Sequence, residues 1–425
     1  MSKVKDILLA GEGRKRLDWA KSNMPVLASI RNRFEKEKPL AGLNIGVALH
    51  FEKKTGVLIE TLAAGGADIT ISSCNPLTTD DSVAAALSET MNVYAWTGQT
   101  KTEYYNCLNE VIASKPNITI DDGCDLIHLL HTKYTEKLST VIGSCEETTT
   151  GIVRLKAMEK DDVLKVPVMA VNNAYSKHLF DNRYGTGQSV IEGILNATNI
   201  LIAGKTAVIV GYGWCGRGIA DRLKGLGARV IVVEITGSIA EGPSGYHRAL
   251  EAMYDGYSVM SMTDAAPLGD LFITATGNKH AISLNHIQHM KDGAMLANSG
   301  HFNQEIDVDG LEKIGNKKDV ITNVAQYELG NGRNIIVLAD GRLVNLAQPT
   351  GQGHPIEIMD GSFGIQALCV EYLAKNGKGM KAGVHDVPES IDNSVAKIAL
   401  ESQGIQLEAP TEAQKTYSES WEEGT

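Results

Sequence analysis

The chain has 425 residues, 43% hydrophobic and 21% charged, enough apolar material for two or three packed domains. Forty Lys and Arg against 51 Asp and Glu leave a net charge of −11, which argues against a general binder of nucleic acid or anionic membrane. No apolar run is long enough to span a bilayer, and the opening MSKVKDILLAGEGRKRLDWAK lacks the pattern of a signal peptide.

Residues 5–36 carry apolar positions at helical spacing and predict one or two amphipathic helices. GLNIGVALH (42–50) reads as a buried strand, and VLIETLAAGG as a helix with a glycine cap. ADITISSC, NVYAW, NITIDDG and PVMAVNNA (167–174) read as further strands separated by helical stretches. Strand and helix alternate, which implies a parallel sheet covered on both faces. A second series starts near residue 190: the helix SVIEGILNATNILIAG, then strand, turn, helix and strand in TAVIVGYGWCGRGIADRLKGLGARVIVVE. DLFITATG, GAMLANSG and NIIVLADG are its later strands. A Gly, Pro and Gln-rich loop (347–355) leads to the helix GSFGIQALCVEYLAK, and the tail from about 386 is polar and ends acidic. The expected fold class is α/β, with two doubly wound parallel sheets.

Gly211-Tyr-Gly213-Trp214-Cys215-Gly216 lies between strand and helix, the context in which a GxGxxG turn accepts a pyrophosphate on a helix N-terminus. Glu234, 18 residues after Gly216, ends the next strand, where a carboxylate binds ribose hydroxyls and repels a 2′-phosphate. The expected cofactor is NAD. The six cysteines, Cys74, Cys107, Cys124, Cys145, Cys215 and Cys369, form no CxxC, which predicts a reduced cytoplasmic setting and no metal site.

Further segments in collinear order closely resemble the S-adenosylhomocysteine hydrolase family. They are DDGCDL (121–126), EETTTG (146–151), YSKHLFDNRYG, NSGHF (298–302), GRLVNL (341–346) and GHP (353–355). The compact length resembles the archaeal branch. The resemblance implies a redox-neutral thioether hydrolase with tightly bound NAD. The ribose 3′ carbon is oxidised, homocysteine is eliminated, water adds, and the ketone is reduced back. It also implies a homotetramer, and an NAD domain (186–348) inserted in a substrate domain (1–185 and 349–385). Residues 386–425 would be a tail making oligomer contacts. Hinges are expected near 183–190 and 346–356.

Carried over by motif, Lys177 and Asp181 meet the ribose hydroxyls and Asn182 orients cofactor and substrate. Asp122 is the base at C4′, assisted by His50, and Asp125 is a supporting acid. Glu147 binds the ribose; Thr148, Thr149 and Thr150 bind the cofactor. Gly300 and His301 reach the nicotinamide side, and His301-Phe302 gates a homocysteine channel. Asn345 holds the carboxamide, and His354 lies beside the base. Thr276, Gly277, Asn278 and Ser299 complete the cofactor shell; Thr55 and Met359 complete the substrate shell. Read alone, DDG is a turn after a strand, His50 a core histidine and Thr148–Thr150 a helix cap. Collinearity with the family selects the catalytic reading.

The family's usual threonine and glutamate after the strand-end histidine, which read adenine, are here Glu52 and Lys54. That pair inverts the hydrogen-bond code. Lys54 can donate to a 6-carbonyl and Glu52 can accept from N1–H, as hypoxanthine presents them. The expected substrate is S-inosylhomocysteine, with S-adenosylhomocysteine the alternative; a methanogen branch resembling this chain is associated with the deaminated substrate. The bland reading makes both residues solvated charges in the EKK run. Other departures are Ile365, Asn173 and Thr186 in place of asparagine, aspartate and cysteine, and longer loops after Glu234 and Asn345. The family's cofactor-binding tail is missing, and its role does not transfer to Lys415 and Tyr417.

Overall fold

The computed structural model describes residues 2–237 and 243–422. Its first sheet takes β1 (Lys3–Val4), β2 (Asn44–Leu49), β3 (Asp68–Ser73), β4 (Asn92–Ala95), β5 (Ile118–Asp121), β6 (Gly143–Glu146) and β7 (Pro167–Ala170). The second takes β8 (Thr206–Val210), β9 (Arg229–Val233), β10 (Ser258–Met260), β11 (Leu271–Thr274), β12 (Ala294–Asn298), β13 (Gly315–Ile321), β14 (Val324–Leu329) and β15 (Asn334–Leu338). The chain then returns to the first sheet with β16 (Gly383–Asp386).

The strand orders are β1-β4-β3-β2-β5-β6-β7-β16 and β10-β9-β8-β11-β12-β15-β14-β13. The first sheet is parallel throughout. In the second, β13, β14 and β15 pair antiparallel. The order in which the chain adds strands switches sides between β2 and β5 in the first sheet and between β8 and β11 in the second. Ligands of doubly wound folds sit at such switch points, beyond the carboxyl ends of the strands.

The core strands are near-continuous apolar runs because both faces are covered; in β2 five of six residues are buried. Helices Ala10–Ser22 and Pro25–Glu37 match the predicted pair, the second opening with proline at its first turn. Its free N–H groups are capped from far along the chain: Asp360 accepts from Val26 N and Leu27 N at 2.7 and 2.8 Å. The buried helix Ile356–Asn376 thus ties the first sheet's two chain segments together.

Three features differ from the sequence reading. Lys3–Val4, just ahead of the stretch 5–36 that reads as helical, forms an edge strand. The hairpin β13–β14 went unread because β13 is mostly exposed and polar, without alternation. The polar stretch after 386 opens with helix Glu389–Ser402, which buries Val395 and caps Tyr175 N and Ser176 N through Asp392. Only the later helix Glu412–Glu419, which carries Lys415 and Tyr417, is exposed along its length. Residues 238–242, the middle of the lengthened loop after Glu234, lie outside the described residues.

Candidate active site

His50 follows β2 and Asp122 follows β5, so the first switch point sets them face to face. His50 Nε2 lies 3.4 Å from Asp122 Oδ2, and His301 Nδ1, from beyond β12, lies 3.3 Å from Asp122 Oδ1. A Cβ on Gly123 would strike the His301 ring, so glycine permits this close approach of the two sheets' loops. Thr78 Oγ1 bonds His50 Nδ1 at 2.8 Å, and burial pushes the imidazole down to about 4 despite Asp122. The His50 carbonyl accepts the Thr55 hydroxyl at 2.6 Å, which braces the histidine.

Carboxylates crowd the same edge. Burial pushes Asp121 up to about 7, although Ile127 N and Asp122 N donate to it. Burial also raises Glu146, whose Oε1 accepts from Gly123 N and Thr148 N and whose Oε2 has no partner among the described residues. Glu147 is pushed up to about 7, again mainly by burial, with Lys177 opposing. Ser362 and Gln366, four apart on the Ile356–Asn376 helix, both donate to Glu147.

Lys177, Asp181 and Asn182 converge because residues His178–Gly185 wind as a π-helical turn, whose greater number of residues per turn aligns positions four and five apart. Lys177 Nζ lies 3.1 Å from Asp181 Oδ1, 2.8 Å from Asn182 Oδ1 and 3.6 Å from Glu147 Oε1. Burial works to lower the ammonium's pKa, but Asp181 and Glu147 outweigh it and hold it above the ordinary lysine range. Asp181 is held below the usual carboxylate range, Lys177 and His354 overcoming burial. His354 Nδ1 lies 3.3 Å from Asp181 Oδ1, and its Nε2 3.3 Å from Thr186 Oγ1. The histidine side chain therefore faces Asp181.

Glu52 and Lys54 are not solvated: they are 6% and 1% exposed. Glu52 Oε2 caps the Lys53–Ala64 helix at Lys54 N and pairs with Lys54 Nζ at 3.1 Å. Lys54 Nζ also donates to the carbonyls of Gln352 and His354, each at 2.8 Å. Burial lowers the ammonium's pKa, with Glu52 opposing. Met359 is buried in the first core.

The second switch point is made of main chain. Gly211 adopts φ +99°, and a Cβ there would meet Ala275 O at 2.8 Å, across on the β11 side. A Cβ on Gly216 would meet Gly211 O at 1.9 Å, and one on Gly218 would meet Arg183 O at 1.8 Å. Gly213 has nothing within 4 Å of its missing Cβ, a cradle at the N-terminus of helix Trp214–Gly225. Cys215 lies in that first turn, while the Trp214 ring packs on His178 and the Arg217 guanidinium. Glu234 Oε1 accepts from Tyr212 N at 2.5 Å, and among the described residues its other oxygen has no hydrogen bond.

Thr148 occupies the N-cap of helix Thr149–Lys160 yet makes no capping bond, so its hydroxyl is not committed to the helix. Thr150 and Gly277 approach from opposite sheets: the glycine's missing Cβ would lie 3.6 Å from Thr150 Oγ1. Glu305 fixes the Thr276–Gly277 turn through two N–H groups and the Thr276 hydroxyl. Asn278 turns back on its own loop, its Oδ1 accepting from Lys279 N. Ser299 donates to Thr274 O, and Gly300 N to Asn298 Oδ1. Asn345 donates to Ser189 Oγ, and its buried Oδ1 has no partner among the described residues. The open cradle at Gly213, the free oxygen of Glu234 and the orphaned Asn345 oxygen suit pyrophosphate, ribose and carboxamide in turn.

Sequence reasoning missed Glu146, Asn172, Glu305, Ser362 and Gln366. A signal existed for Ser362 and Gln366, polar residues four apart inside an apolar helix. It did not exist for Asn172, whose Oδ1 accepts from Asn182 Nδ2 at 3.1 Å. The fold also gathers His50, Cys74 and Asp122, with ligand atoms within 4.8 Å of one another. Burial raises the Cys74 thiol well above its usual range. No helix among the described residues is long and apolar enough to cross a membrane.

Residues 182–351 match the family model described as S-adenosyl-L-homocysteine hydrolase, NAD binding domain. Residues 1–139 match the model described as S-adenosyl-L-homocysteine hydrolase. The chain is 55% identical to S-inosyl-L-homocysteine hydrolase of Methanocaldococcus jannaschii, covering 100% of both chains. It is 53% identical to the protein of that name from Methanopyrus kandleri, over 99% of this chain and 98% of that one. It is equally 53% identical to adenosylhomocysteinase of Saccharolobus solfataricus, over 100% of this chain and 99% of that one.

Proposed function

Because this chain belongs to the S-adenosyl-L-homocysteine hydrolase family, we propose that its substrate is S-inosyl-L-homocysteine, cleaved reversibly to inosine and L-homocysteine. The chain is an NAD-dependent hydrolase of a thioether-linked nucleoside. The choice of base rests on one observation, the burial of Glu52 and Lys54 side by side. Overall identity does not decide it, since relatives of both names stand at 53%.

Hypoxanthine would offer its 6-carbonyl to Lys54 and its N1–H to Glu52. Adenine would set an amino group against the ammonium and a lone pair against the carboxylate. Two mispaired buried groups at about 1–3 kcal/mol each correspond to discrimination of roughly two to four orders of magnitude. The test is synthesis from homocysteine with inosine or adenosine, side by side. Inosine preference is expected; adenosine preference discards the base reading and keeps the family. Glu52→Thr with Lys54→Glu should move preference toward adenosine. One observation favours the second reading: Lys54's three donors already meet Glu52, Gln352 and His354. If they stay so with substrate bound, the pair is a latch for the 347–355 loop and the base is adenine.

In the proposed reaction Lys177 takes the 3′-hydroxyl proton. Ribose hydroxyls bonded to Glu147 and Asp181 draw those charges off the ammonium, which brings Lys177 toward a basic role. Asp122, between His50 and His301, takes the C4′ proton; homocysteine leaves C5′ with its electron pair, and water adds to the double bond. NAD, when bound, supplies reversible acceptance of the C3′ hydride. Thr148–Thr150, the Gly211–Gly216 turn, Glu234, Thr276–Asn278, Ser299–His301 and Asn345 would hold it. Closure about 183–190 and 346–356, between domains 1–185 with 349–385 and 186–348, excludes water at the keto stage.

The proposal extends to a cytoplasmic homotetramer. An exposed stripe on helix Gly245–Tyr254, Tyr246, Leu250, Met253 and Tyr254, supports self-association, and light scattering tests it.

A further inference from the structure

One wall beside Asp122 plays no part in the proton transfers. Arg154 stands on the Thr149–Lys160 helix, and its Nη1 donates to Gly123 O and, at 2.7 Å, to Asp125 Oδ1. The other Asp125 oxygen accepts the Tyr104 hydroxyl at 3.0 Å. Asp125 is therefore filled by protein partners, and Arg154 is anchored by one nitrogen only. Its Nε and Nη2 have no hydrogen-bond partner among the described residues. The guanidinium lies 5.7 Å from the Phe302 ring centroid, and that ring packs edge-on at 4.6 Å against His301.

These groups form a path from inside to outside. The Asp122 and His301 side chains are 8% and 5% exposed, and the Arg154 side chain 30%. A homocysteine tail leaving C5′ next to Asp122 puts its α-carboxylate about 7 Å from C4′, six zigzag bonds of roughly 1.5 Å. That is a step of one aromatic ring past His301. The edge of a guanidinium with two parallel N–H donors matches a carboxylate.

We propose that Arg154 binds the α-carboxylate of the homocysteine moiety through Nε and Nη2, with Asp125 and Tyr104 fixing its plane. This rests on the family reading, in which the leaving group is homocysteine. Phe302 stacked on the guanidinium then closes over the amino-acid end, so filling the subsite and shutting the gate are one event.

The test uses NAD-loaded enzyme in the synthetic direction with whichever nucleoside it accepts. Two thiols are compared: L-homocysteine, and 3-mercaptopropylamine, which lacks only the carboxylate. In the wild type the amine should show a KM about 10- to 100-fold higher, the scale of a charge-assisted bidentate pair. Arg154→Met should raise the homocysteine KM by that factor, leave the amine nearly unmoved and so erase the difference. Arg154→Lys should restore part of it. Equal losses for both thiols in Arg154→Met would make Arg154 a clamp of the Asp122 loop and overturn the proposal. Indifference of the wild type to the carboxylate overturns it without any variant. Absence of thioether from either nucleoside with homocysteine sinks the hydrolase reading instead, and the subsite with it.

Discussion

At the carboxyl ends of β2, β5 and β6 the first sheet presents titratable side chains; at the ends of β8, β11 and β12 the second presents mostly main chain. The first sheet's groups sit away from their ordinary protonation, with Asp121 and Glu147 pushed up to about 7 and His50 down to about 4, burial leading in each case. The second sheet's acids, Glu234 and Glu305, take backbone N–H groups and stiffen turns. The difference fits the division of labour proposed for the two sites. Moving protons needs groups whose charge is poised by low dielectric and neighbours. Holding a phosphate needs fixed N–H donors and room for close approach. One switch-point geometry serves both, and the residues placed on it decide which.

The sharpest break in that contrast is Lys177→Ala. It should lower turnover by about a thousandfold, the scale of general acid–base catalysis, while cofactor content stays intact. Absorbance of bound NADH on adding nucleoside measures the 3′ oxidation directly, and wild-type formation would sink the assignment. Next comes Gly216→Ala in the second sheet's turn. Its methyl would stand 1.9 Å from Gly211 O, so the backbone must shift, at about 3 kcal/mol in a urea titration.

Glu147→Gln tests the first sheet's poise through pH. Glu147 has the ordinary pKa of 4.5 when unfolded and about 7 when folded, so the folded state holds the extra proton between them. Stability from this group is present below about 4.5 and is lost as pH rises through 7. Relative to wild type, the variant should gain up to about 3 kcal/mol across that window, read as a diverging urea midpoint. A constant difference would show that Glu147 titrates normally. The smallest effect is Gly213→Ala. Its Cβ meets no protein atom, so Tm should hold while NAD affinity falls about tenfold, some 1.4 kcal/mol. Equal affinity in an equilibrium titration would place the phosphates elsewhere.

Much of the fold was legible because its signals are local. Buried parallel strands are short apolar runs, and glycines with φ such as +99° at Gly211 mark turns that a side chain would block. The hairpin β13–β14 carried no such signal, and helix Glu389–Ser402 exposes most of its surface, so a polar tail and a packed helix read alike. At the site, the motifs around Asp122, Lys177 and Gly211 were visible, but their partners come from distant segments. Ser362 and Gln366 reach Glu147 across more than 200 residues, and His301 reaches Asp122 across 179.

By itself, then, the sequence determined the two α/β series, the phosphate-binding turn and the residue types able to do the chemistry, because these depend on neighbours within a few positions. Only the tertiary structure decided which charges are buried. The EKK composition alone would leave Glu52 and Lys54 solvated and only their position in the family motif pointed to the base, whereas in the fold both are buried and the loop carbonyls of Gln352 and His354 hold Lys54. Burial depends on what the rest of the chain lays over a segment, and no local pattern records it.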